Sequence, residues 1–394
     1  MNKLKQIAFL LLLFSTSFFT SCEDYFGEKT DLDFIDIPQQ TFREVAYVPV
    51  QPILTGYAYP SDIIAGFDEL IYVVDRGAAQ VIALDESGRE LSRLSVPGAR
   101  AIAQDRRLDL LVIGTKNDNG VDRSCIYRIE LNRPEGYGLQ FAEITNEIIH
   151  PFYFKTNAIS DDANVQFNRI GVMHDNTYYV SRSGPRNNPN QSGGPDDAVL
   201  LFDKDDNFLT PIVISNQNGF FRDYFDAPFA ISTLAKPPQF SVSQSSDFLF
   251  SSLDPNGVLK VQYIENQSTA DGSIYTPKTN WSNDTSQASN FINEAFKFEE
   301  PVGIEYDADD RQFIFVVDRA KDSLYQFTSS GLEGVEPPPA SQETKHIRSS
   351  FGGTGVGPTQ FNEPMAVAYK DDILYVADAG NGRVLRFKLT LDIR

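Results

Sequence analysis

Residues 351–364, Phe-Gly-Gly-Thr-Gly-Val-Gly-Pro-Thr-Gln-Phe-Asn-Glu-Pro, end in a short motif that recurs along the chain. The motif reads aromatic-x-x-Pro-x-small-aliphatic, and its three clear copies begin at Phe225, Phe298 and Phe361. Further copies follow the pattern less closely: Tyr57–Ile63, with Asp62 at the small position, Ala99–Ile102, and Phe167–Val172, with one residue missing. Six copies in a chain of 394 residues indicate an internally repeated fold.

Apolar runs of strand length follow each copy and are separated by turn residues. Three of these runs end in Asp: Leu70–Asp75, Phe313–Asp318 and Ile373–Asp378. Turn signals such as Asp85–Gly88 and Asp254–Gly257 precede or follow the next runs. Because one small sheet cannot bury its own faces, short strands at this long period predict radial repetition. The predicted fold is all-β, a six-bladed β-propeller.

The last repeat resembles an NHL repeat. The resemblance rests on residues 351–364, on Leu374–Asp378 and on the Gly-Asn-Gly-Arg stretch at 380–383. It implies a six-bladed NHL-like propeller over residues 42–394, in which we expect Arg43–Leu54 to supply the outer strand of the last blade. Such closure removes an exposed sheet edge. The resemblance also implies that the Asp ending the second strand fixes the following turn, at positions 75, 318 and 378.

The N-terminal segment predicts export and lipidation. Lys3 and Lys5 precede the apolar run Ile7–Phe14, which is too short for a transmembrane helix and typical of a signal peptide. Residues 19–22, Phe-Thr-Ser-Cys, resemble a bacterial lipobox, so we expect cleavage after residue 21 and acylation of Cys22. The predicted domains are therefore a signal peptide (1–21), a lipidated acidic linker (22–41) and the propeller (42–394). The alternative is an ordinary signal peptide cut elsewhere.

Acidic residues follow Cys22 directly. Glu23 and Asp24 resemble the export tag of surface lipoproteins in Bacteroidota-type bacteria, which implies an outer-membrane, surface-facing location. The alternative is a solvated linker, since residues 23–36 are rich in Asp and Glu.

Composition limits the functions that the chain can perform. A net charge of −20 argues against binding to nucleic acid. Three His and two Cys leave little for a metal cluster or a disulfide framework, and His150, His174 and His346 fall in different repeat phases. We expect Cys125 to be a buried apolar residue rather than a nucleophile.

No catalytic motif is predicted. Residues 203–207, Asp-Lys-Asp-Asp-Asn, lack the Gly and Glu of a calcium loop and are interpreted as a hairpin turn. Gly352–Gly357 lacks the features of a phosphate loop and is interpreted as an inter-blade connection. We therefore predict no cofactor, and leave open a calcium ion in the channel. Some six-bladed relatives are metal-dependent lactonases or lyases; carboxylates and Asn around an ion would favour that alternative, and an apolar or Arg-plugged channel would oppose it.

Long loops give the candidate binding surface. Thr115–Arg123, Ser183–Asp197 and Gly219–Asp226 are expected to open on one face, and loops on a rigid scaffold commonly carry binding. The candidate binding residues in or beside such loops are Arg76, Arg100, Arg182, Arg186, Phe220, Phe221, Arg222, Tyr224, Phe225 and Arg319. Arg and aromatic residues are favoured at interface hot spots. The alternative is that the aromatics pack under their own loop and that the Arg residues neutralise nearby Asp.

The sequence thus predicts a lipid-anchored propeller that binds rather than catalyses. Its expected partner is an outer-membrane assembly, in which it would be an accessory subunit beside a SusC/SusD-type transporter or other outer-membrane machinery. That step is an analogy, because a propeller fold does not define a function. A glycan- or peptide-binding lipoprotein is a close variant. A metal-dependent hydrolase or lyase with its site in the channel is the alternative from another class.

Overall fold

The computed structural model describes residues 45–150, 162–190, 194–234, 245–270, 272–278, 290–307, 311–338 and 344–393. The predicted signal peptide, Cys22 and the acidic linker lie outside the described residues. None of the helices among the described residues has the length and apolar character needed to span a bilayer.

Six antiparallel sheets, blades 1 to 6, form a ring around a central channel, as predicted. Strands are given from the channel outward. Blade 1 consists of Pro60–Ala65, Ile71–Asp75, Gln80–Leu84 and Glu90–Ser95, and blade 2 of Ala101–Gln104, Leu110–Asp118, Val121–Glu130 and Glu143–Ile149. Blade 3 consists of Gln166–Val172, Tyr178–Ser183, Ala198–Phe202 and Phe208–Pro211.

Blades 4 to 6 have the same order. Blade 4 consists of Pro228–Thr233, Phe248–Ser252, Val261–Thr269 and Gly272–Pro277, with the added hairpin Ile214–Asn216 and Gly219–Phe221. Blade 5 consists of Pro301–Tyr306, Ile314–Asp318, Ser323–Phe327 and Phe351–Gly352. Blade 6 consists of Pro364–Lys370, Ile373–Asp378 and Arg383–Leu389, with the outer segments Tyr47–Pro49 and Leu54–Thr55. Helix among the described residues is limited to short 3-10 turns at Leu139–Phe141, Asp162–Asn164, Ala379–Asn381 and Thr390–Asp392, and a two-stranded hairpin joins Asn132–Arg133 to Gly136–Tyr137.

Every inner strand begins on one face of the ring and ends on the other. We call these the top face and the bottom face. Because neighbouring strands within a blade are antiparallel, turns between second and third strands lie on the top face, together with the connections that lead into each blade. Turns between first and second strands lie on the bottom face.

The ring closes between the two ends of the described chain. Tyr47 pairs with Leu389, and Leu54 pairs with Val384, so the N-terminal segment forms the outer edge of blade 6. This confirms the predicted closure, which leaves no inner strand at an open edge.

The hydrophobic core lies between the blades rather than within them. The described residues form six buried clusters, one between each pair of neighbouring blades. The cluster between blades 6 and 1 joins Ile63 and Val73 to Ala366 and Tyr375, which are all buried. A single blade therefore cannot bury its faces until its two neighbours are in place.

The repeated motif has a structural explanation at the start of the inner strands. In blades 1, 5 and 6, Pro60, Pro301 and Pro364 begin the strand, where a missing N–H costs nothing, and a bulge follows directly. The small position then meets the neighbouring inner strand. A Cβ on Gly303 would lie 3.0 Å from Cα of Ala366, so the crowded axis explains the preference for Gly or Ala.

The Asp that ends three second strands joins two top-face segments, as the resemblance implied. Asp75 accepts hydrogen bonds from the backbone N–H groups of Ala58 and Tyr59 before its own blade, at 2.8 Å each. Asp318 accepts equivalent bonds from residues 299 and 300. These carboxylates fix the turn to the incoming connection and do not form a ring in the channel.

Two predicted turns are also confirmed. Residues 203–207 form the hairpin between the third and fourth strands of blade 3, where Asp203 accepts hydrogen bonds from the N–H groups of Asp205 and Asn207. Asp206 of this turn is held by the guanidinium of Arg128 at 2.6 and 2.8 Å. Gly352–Gly357 lies in the connection from blade 5 to blade 6.

Two of the expected loops are wholly or partly strand. Thr115–Arg123 is the end of a long hairpin in blade 2, because Asn119 and Gly120, with φ of 52° and 86°, form a tight two-residue turn. The Asn-Gly pair was the sequence signal for it. Gly219–Asp226 begins as a strand, since Gly219–Phe221 pairs with Ile214–Asn216 at the rim of blade 4.

Candidate binding sites at the two ends of the channel

Four arginines gather where the channel opens on the top face. We call Arg76, Arg100, Arg169 and Arg319 the top-mouth cluster. Arg76 and Arg319 each follow a second strand, Arg100 precedes the inner strand of blade 2, and Arg169 lies within the inner strand of blade 3. The cluster stands out in a chain with 54 acidic and 34 basic residues.

The charges of the cluster act on one another. Burial, and then the charges of Arg76 and Arg169, lower the pKa of Arg100. One guanidinium nitrogen of Arg100 donates to Oε1 of Gln166 at 2.7 Å, whereas its buried Nε has no hydrogen-bond partner among the described residues. An unpaired buried donor beside like charges is a position that an anion would stabilise.

Arg76 and Arg319 differ in their pairing. Arg76 is exposed, and no described residue hydrogen-bonds or forms an ion pair with its guanidinium. Arg319 donates to Glu300 at 2.8 Å and lies 4.0 Å from the sulfur of Met365. Both charges oppose the rise in the pKa of Tyr59, which burial and Glu363 cause. Both arginines therefore lie near Tyr59 at the mouth.

Arg169 closes the channel below this mouth. Its Nη2 donates to the carbonyl of Ser61 in blade 1 at 3.0 Å and to that of Met365 in blade 6 at 3.3 Å. Its guanidinium also lies 5.1 Å from the ring centre of Phe229 in blade 4. One buried side chain from blade 3 thus spans the axis to three other blades.

Asp62 is the acid next to this plug. Its carboxylate lies 3.7 Å from Nε of Arg169 and accepts hydrogen bonds from the N–H groups of Ile63 at 3.1 Å and Ile102 at 2.8 Å. Burial nevertheless raises the pKa of Asp62, against the opposing charge of Arg169.

A cavity of about 360 Å³ extends from this pair toward the bottom face; we call it the bottom cavity. The inner strands of all six blades line it. Glu305, from blade 5, also lines it, and burial together with the charge of Asp62 raises the pKa of Glu305 to about 8.

At the rim of the bottom cavity, three exposed carboxylates come close enough to hold a cation. They belong to Glu69, Glu86 and Asp371. The ammonium group of Lys370 already contacts all three, at 3.0, 3.2 and 2.8 Å respectively. These charges raise the pKa of Lys370 although burial opposes them. The arrangement is a surface ion-pair network around a lysine.

Two of the candidate binding residues are buried, which corrects their assignment to a contact surface. Arg182 is fully buried and donates to the carbonyls of Pro195 and Asp196 at 2.8 and 2.7 Å. Phe225 is 1% exposed and packs edge-on against Phe250. Both act as supports of their own loops, because a group with no accessible surface cannot contact a partner.

The remaining candidates are partly or fully accessible. Phe220 is 75% exposed, and Arg222 is exposed as well. Phe221 and Arg186 are half-buried. Tyr224 is half-buried too, and its hydroxyl contacts the side-chain oxygen of Gln262. The structure thus places this loop's inner aromatics in the core and leaves Phe220 at the rim of blade 4.

Sequence reasoning missed Arg169 and Glu305, and noted Asp62 only as an odd residue. A signal was present: Asp62 takes the position at which clear copies have Gly or Ala, and Arg169 falls in the copy with one residue missing. A charged residue at a position crowded against the axis points into the channel. Glu305 has no such signal, because it follows an ordinary copy.

The arrangement is suited to binding. Asp62 lies 3.7 Å from Nε of Arg169 and accepts two backbone hydrogen bonds, so Asp62 and Glu305 do not form an open metal-ligand set. His150 is buried against the ring of Phe167, outside the channel lining. Cys125 is fully buried, and burial raises the pKa of its thiol to about 12, as expected for a packed apolar residue.

Comparison with known proteins supports the fold. No protein-family model matches the chain. No curated protein matches it either. Among solved structures, the PQQ-bound aldose sugar dehydrogenase of Streptomyces coelicolor is 14% identical, with 88% of this chain and 98% of that chain covered and a TM-score of 0.50.

Two further solved structures match less closely. An auxiliary nutrient binding protein from Bacteroides thetaiotaomicron is 13% identical over 85% of this chain and 70% of that chain, with a TM-score of 0.47. Virginiamycin B lyase from Staphylococcus aureus is 10% identical over 87% of this chain and 99% of that chain, with a TM-score of 0.43. At these identities the likeness concerns the fold alone.

Proposed function

We propose that this protein is a lipid-anchored, non-catalytic binding protein of the outer membrane, in which the top-mouth cluster holds an acidic region of a membrane-embedded partner complex. The observation that carries the proposal is the convergence of Arg76, Arg100 and Arg319 around one opening of a strongly acidic chain. Guanidinium groups bind carboxylates through paired hydrogen bonds, and partly desolvated pairs are the strong ones.

The cluster fits an anionic partner better than an internal role. Arg76 has no described partner. Arg100 has a buried Nε without a hydrogen-bond partner and lies close to the positive charges of Arg76 and Arg169. A carboxylate placed beside the two guanidinium groups would relieve the repulsion between them. Since the rest of the surface is acidic, an acidic partner would be repelled elsewhere and guided to this mouth.

The first described residue lies on the face opposite the top-mouth cluster. Val45, the first described residue, precedes the strand that begins opposite Leu389, at the bottom of blade 6.

The channel alternative, a metal-dependent hydrolase or lyase, has less support. Such a site needs several carboxylates or imidazoles open to one ion. Here the Asp62 carboxylate already accepts two backbone hydrogen bonds and faces Arg169. The guanidinium thus takes the place in which a cation would lie.

A mild-detergent pull-down of the tagged full chain from membranes tests the proposal. Wild type is compared with the double variant Arg76→Ala/Arg319→Ala and with a matched control, Arg89→Ala/Lys204→Ala, which removes two exposed cations from turns between third and fourth strands, on the bottom face. We expect wild type and control to recover an outer-membrane barrel and its lipoproteins, and the mouth variant to lose them. Recovery of the chain alone from wild-type membranes, or equal recovery by all three, would overturn the proposal.

The tether is tested separately. Cys22→Ser should move the chain from the membrane fraction to the soluble fraction after release of the outer membrane. The same variant should still bind detergent-solubilised partner through an intact top mouth. Membrane retention of Cys22→Ser without any partner would contradict a lipid anchor at that residue.

A further inference from the structure

The bottom cavity is separate from Arg76, Arg100 and Arg319, because Arg169, the deepest member of the top-mouth cluster, lies between them. Its closed end is formed by Arg169 and Asp62, and its wall by small residues of the inner strands such as Gly171, Ala230 and Gly303. Its volume of about 360 Å³ lies in the range of sites for small molecules. Small wall residues leave the backbone edges of the inner strands within reach of a ligand.

The cavity is lined by more negative than positive groups. Its ionisable lining residues are Asp62, Glu69, Glu305, Asp307 and Asp371, against Arg169 and Lys370. Tyr306 also lines it. The two cations are engaged: Arg169 by Asp62 and two carbonyls, and Lys370 by its three rim carboxylates. The deep part of the cavity therefore carries acid that the described cations do not balance.

Glu305 is the acid without a partner. No described residue donates a hydrogen bond to its carboxyl or forms an ion pair with it, although burial and Asp62 raise its pKa to about 8. A carboxyl in that state is stabilised when a cation arrives, since the cation offsets both causes of the shift. The neighbouring Ser232 supplies a further oxygen atom on the same wall.

We propose that the bottom cavity is a binding site for a small organic ammonium compound, whose ammonium group lies against Glu305 on the side of Asp62 and whose carbon chain follows the inner-strand edges. An ammonium group needs a few oxygen acceptors, which Glu305, Ser232 and strand carbonyls provide. A divalent metal needs about six oxygen ligands, more than Glu305 offers once Asp62 is committed to Arg169. The site is independent of the proposed function at the top mouth.

Calorimetric titration of the full chain in detergent micelles tests the site with two isosteric probes. They are 4-amino-1-butanol and 1,4-butanediol, which differ only by an ammonium group in place of a hydroxyl. We expect the amine to bind at least tenfold more tightly than the diol. Because the ammonium favours ionised Glu305, its affinity should rise about tenfold from pH 7 to pH 9, in line with the pKa of about 8.

Two variants test whether Glu305 is the residue that binds the ammonium group. Glu305→Gln should weaken binding of the amine at least tenfold and remove its pH dependence, while Glu90→Gln, on the outer strand of blade 1, should bind like wild type. Equal binding of the two probes, or no binding of either, would overturn the proposal. So would a Glu305→Gln variant whose affinity for the amine equals that of wild type. So would tight calcium binding that Glu305→Gln abolishes, which would identify a metal site. The wild-type comparison of the probes remains decisive if the variant fails to fold.

Discussion

The Nε atom of Arg169 lies 3.7 Å from Oδ1 of Asp62, although the two residues belong to the inner strands of blades 3 and 1. Together with the bonds from Arg169 to Ser61 and Met365, this pair ties several blades together across the axis. It also divides the channel into a top mouth rich in arginine and a bottom cavity rich in carboxylate. The channel thus has two ends of opposite charge.

Arg169→Leu should destabilise the protein by about 3–5 kcal/mol, because it leaves Asp62 as a buried charge without its partner. The double variant Asp62→Asn/Arg169→Leu should recover part of that loss. Urea unfolding of the two single variants and the double variant gives the coupling energy. Additive effects of the single substitutions would show that the pair does not act as a unit.

The stability of the protein should depend on the state of Glu305. Its pKa is raised to about 8 in the folded chain and returns to about 4.5 on unfolding, so between these values the folded state holds a proton that the unfolded state has released. The free energy of unfolding should therefore fall as pH rises from 5 to 8, by up to about 1.4 kcal/mol per pH unit from this group.

Glu305→Gln removes the contribution of this carboxyl to the free energy of unfolding and no other group that titrates between pH 5 and 8. The free energy of unfolding, measured by urea denaturation at pH 5, 6, 7 and 8, should increase in the variant relative to wild type as pH rises. The raised pKa of Asp62 acts in the same direction but is present in both proteins. Parallel profiles for the two proteins would contradict the assignment.

The buried Asp378 should be more costly to replace than an acid in an exposed turn. It is fully buried, accepts a hydrogen bond from the N–H of Asn362 at 2.7 Å, and pairs with Nε of Arg383 at 2.7 Å. Asp378→Asn should cost about 3 kcal/mol, since Arg383 loses its counter-charge. Asp85→Asn, in an exposed turn, should cost less than about 1 kcal/mol. Chemical denaturation compares them, and equal costs would refute the special role of the buried acid.

Cys125 should be inert in the folded protein. It is fully buried, and burial raises the pKa of its thiol to about 12, so both access and thiolate are lacking. Iodoacetamide at pH 8 should leave Cys125 unlabelled in native protein and label it in urea, as read by peptide mass spectrometry. Rapid native labelling would show that the core between blades 1 and 2 opens.

Partner retention at the top mouth should be sensitive to salt. Part of the attraction between Arg76 and an acidic partner acts through solvent, which ions screen within about 8 Å at 0.15 M. The fraction of partner recovered with wild type should therefore decrease as sodium chloride is raised from 0.05 to 0.5 M. Retention that is unchanged or strengthened at high salt would indicate an apolar interface instead.

Much of the architecture follows from local features of the sequence. The copies beginning at Phe225, Phe298 and Phe361 mark the inner strands, and the runs ending in Asp75, Asp318 and Asp378 mark the second strands. These features are local because strand alternation, turn chemistry and the Pro-initiated bulge each depend on a few adjacent residues. The prediction was weakest at Thr115–Arg123 and Gly219–Asp226. Their composition indicated loops, but the structure places all of the first segment and the start of the second in β-hairpins.

The binding residues could be predicted only in part for the same reason. Arg76, Arg100 and Arg319 come from three top-face connections, so the repeat itself places them on one face. Phe225 also lies in such a connection, and Arg182 lies in the second strand of blade 3 next to one, yet both are buried. Whether a loop side chain points outward or folds beneath its own loop depends on long-range packing, which the spacing of the copies does not encode.

The sequence by itself determined the six repeated units of short strands and predicted that they form a closed ring of six blades, because one small sheet cannot bury its own faces. Only the tertiary structure decided what fills the axis of that ring. Asp62, Arg169 and Glu305 come from three blades far apart in sequence, and their distances, burial and raised carboxyl pKa values exist only once all six inner strands surround one channel.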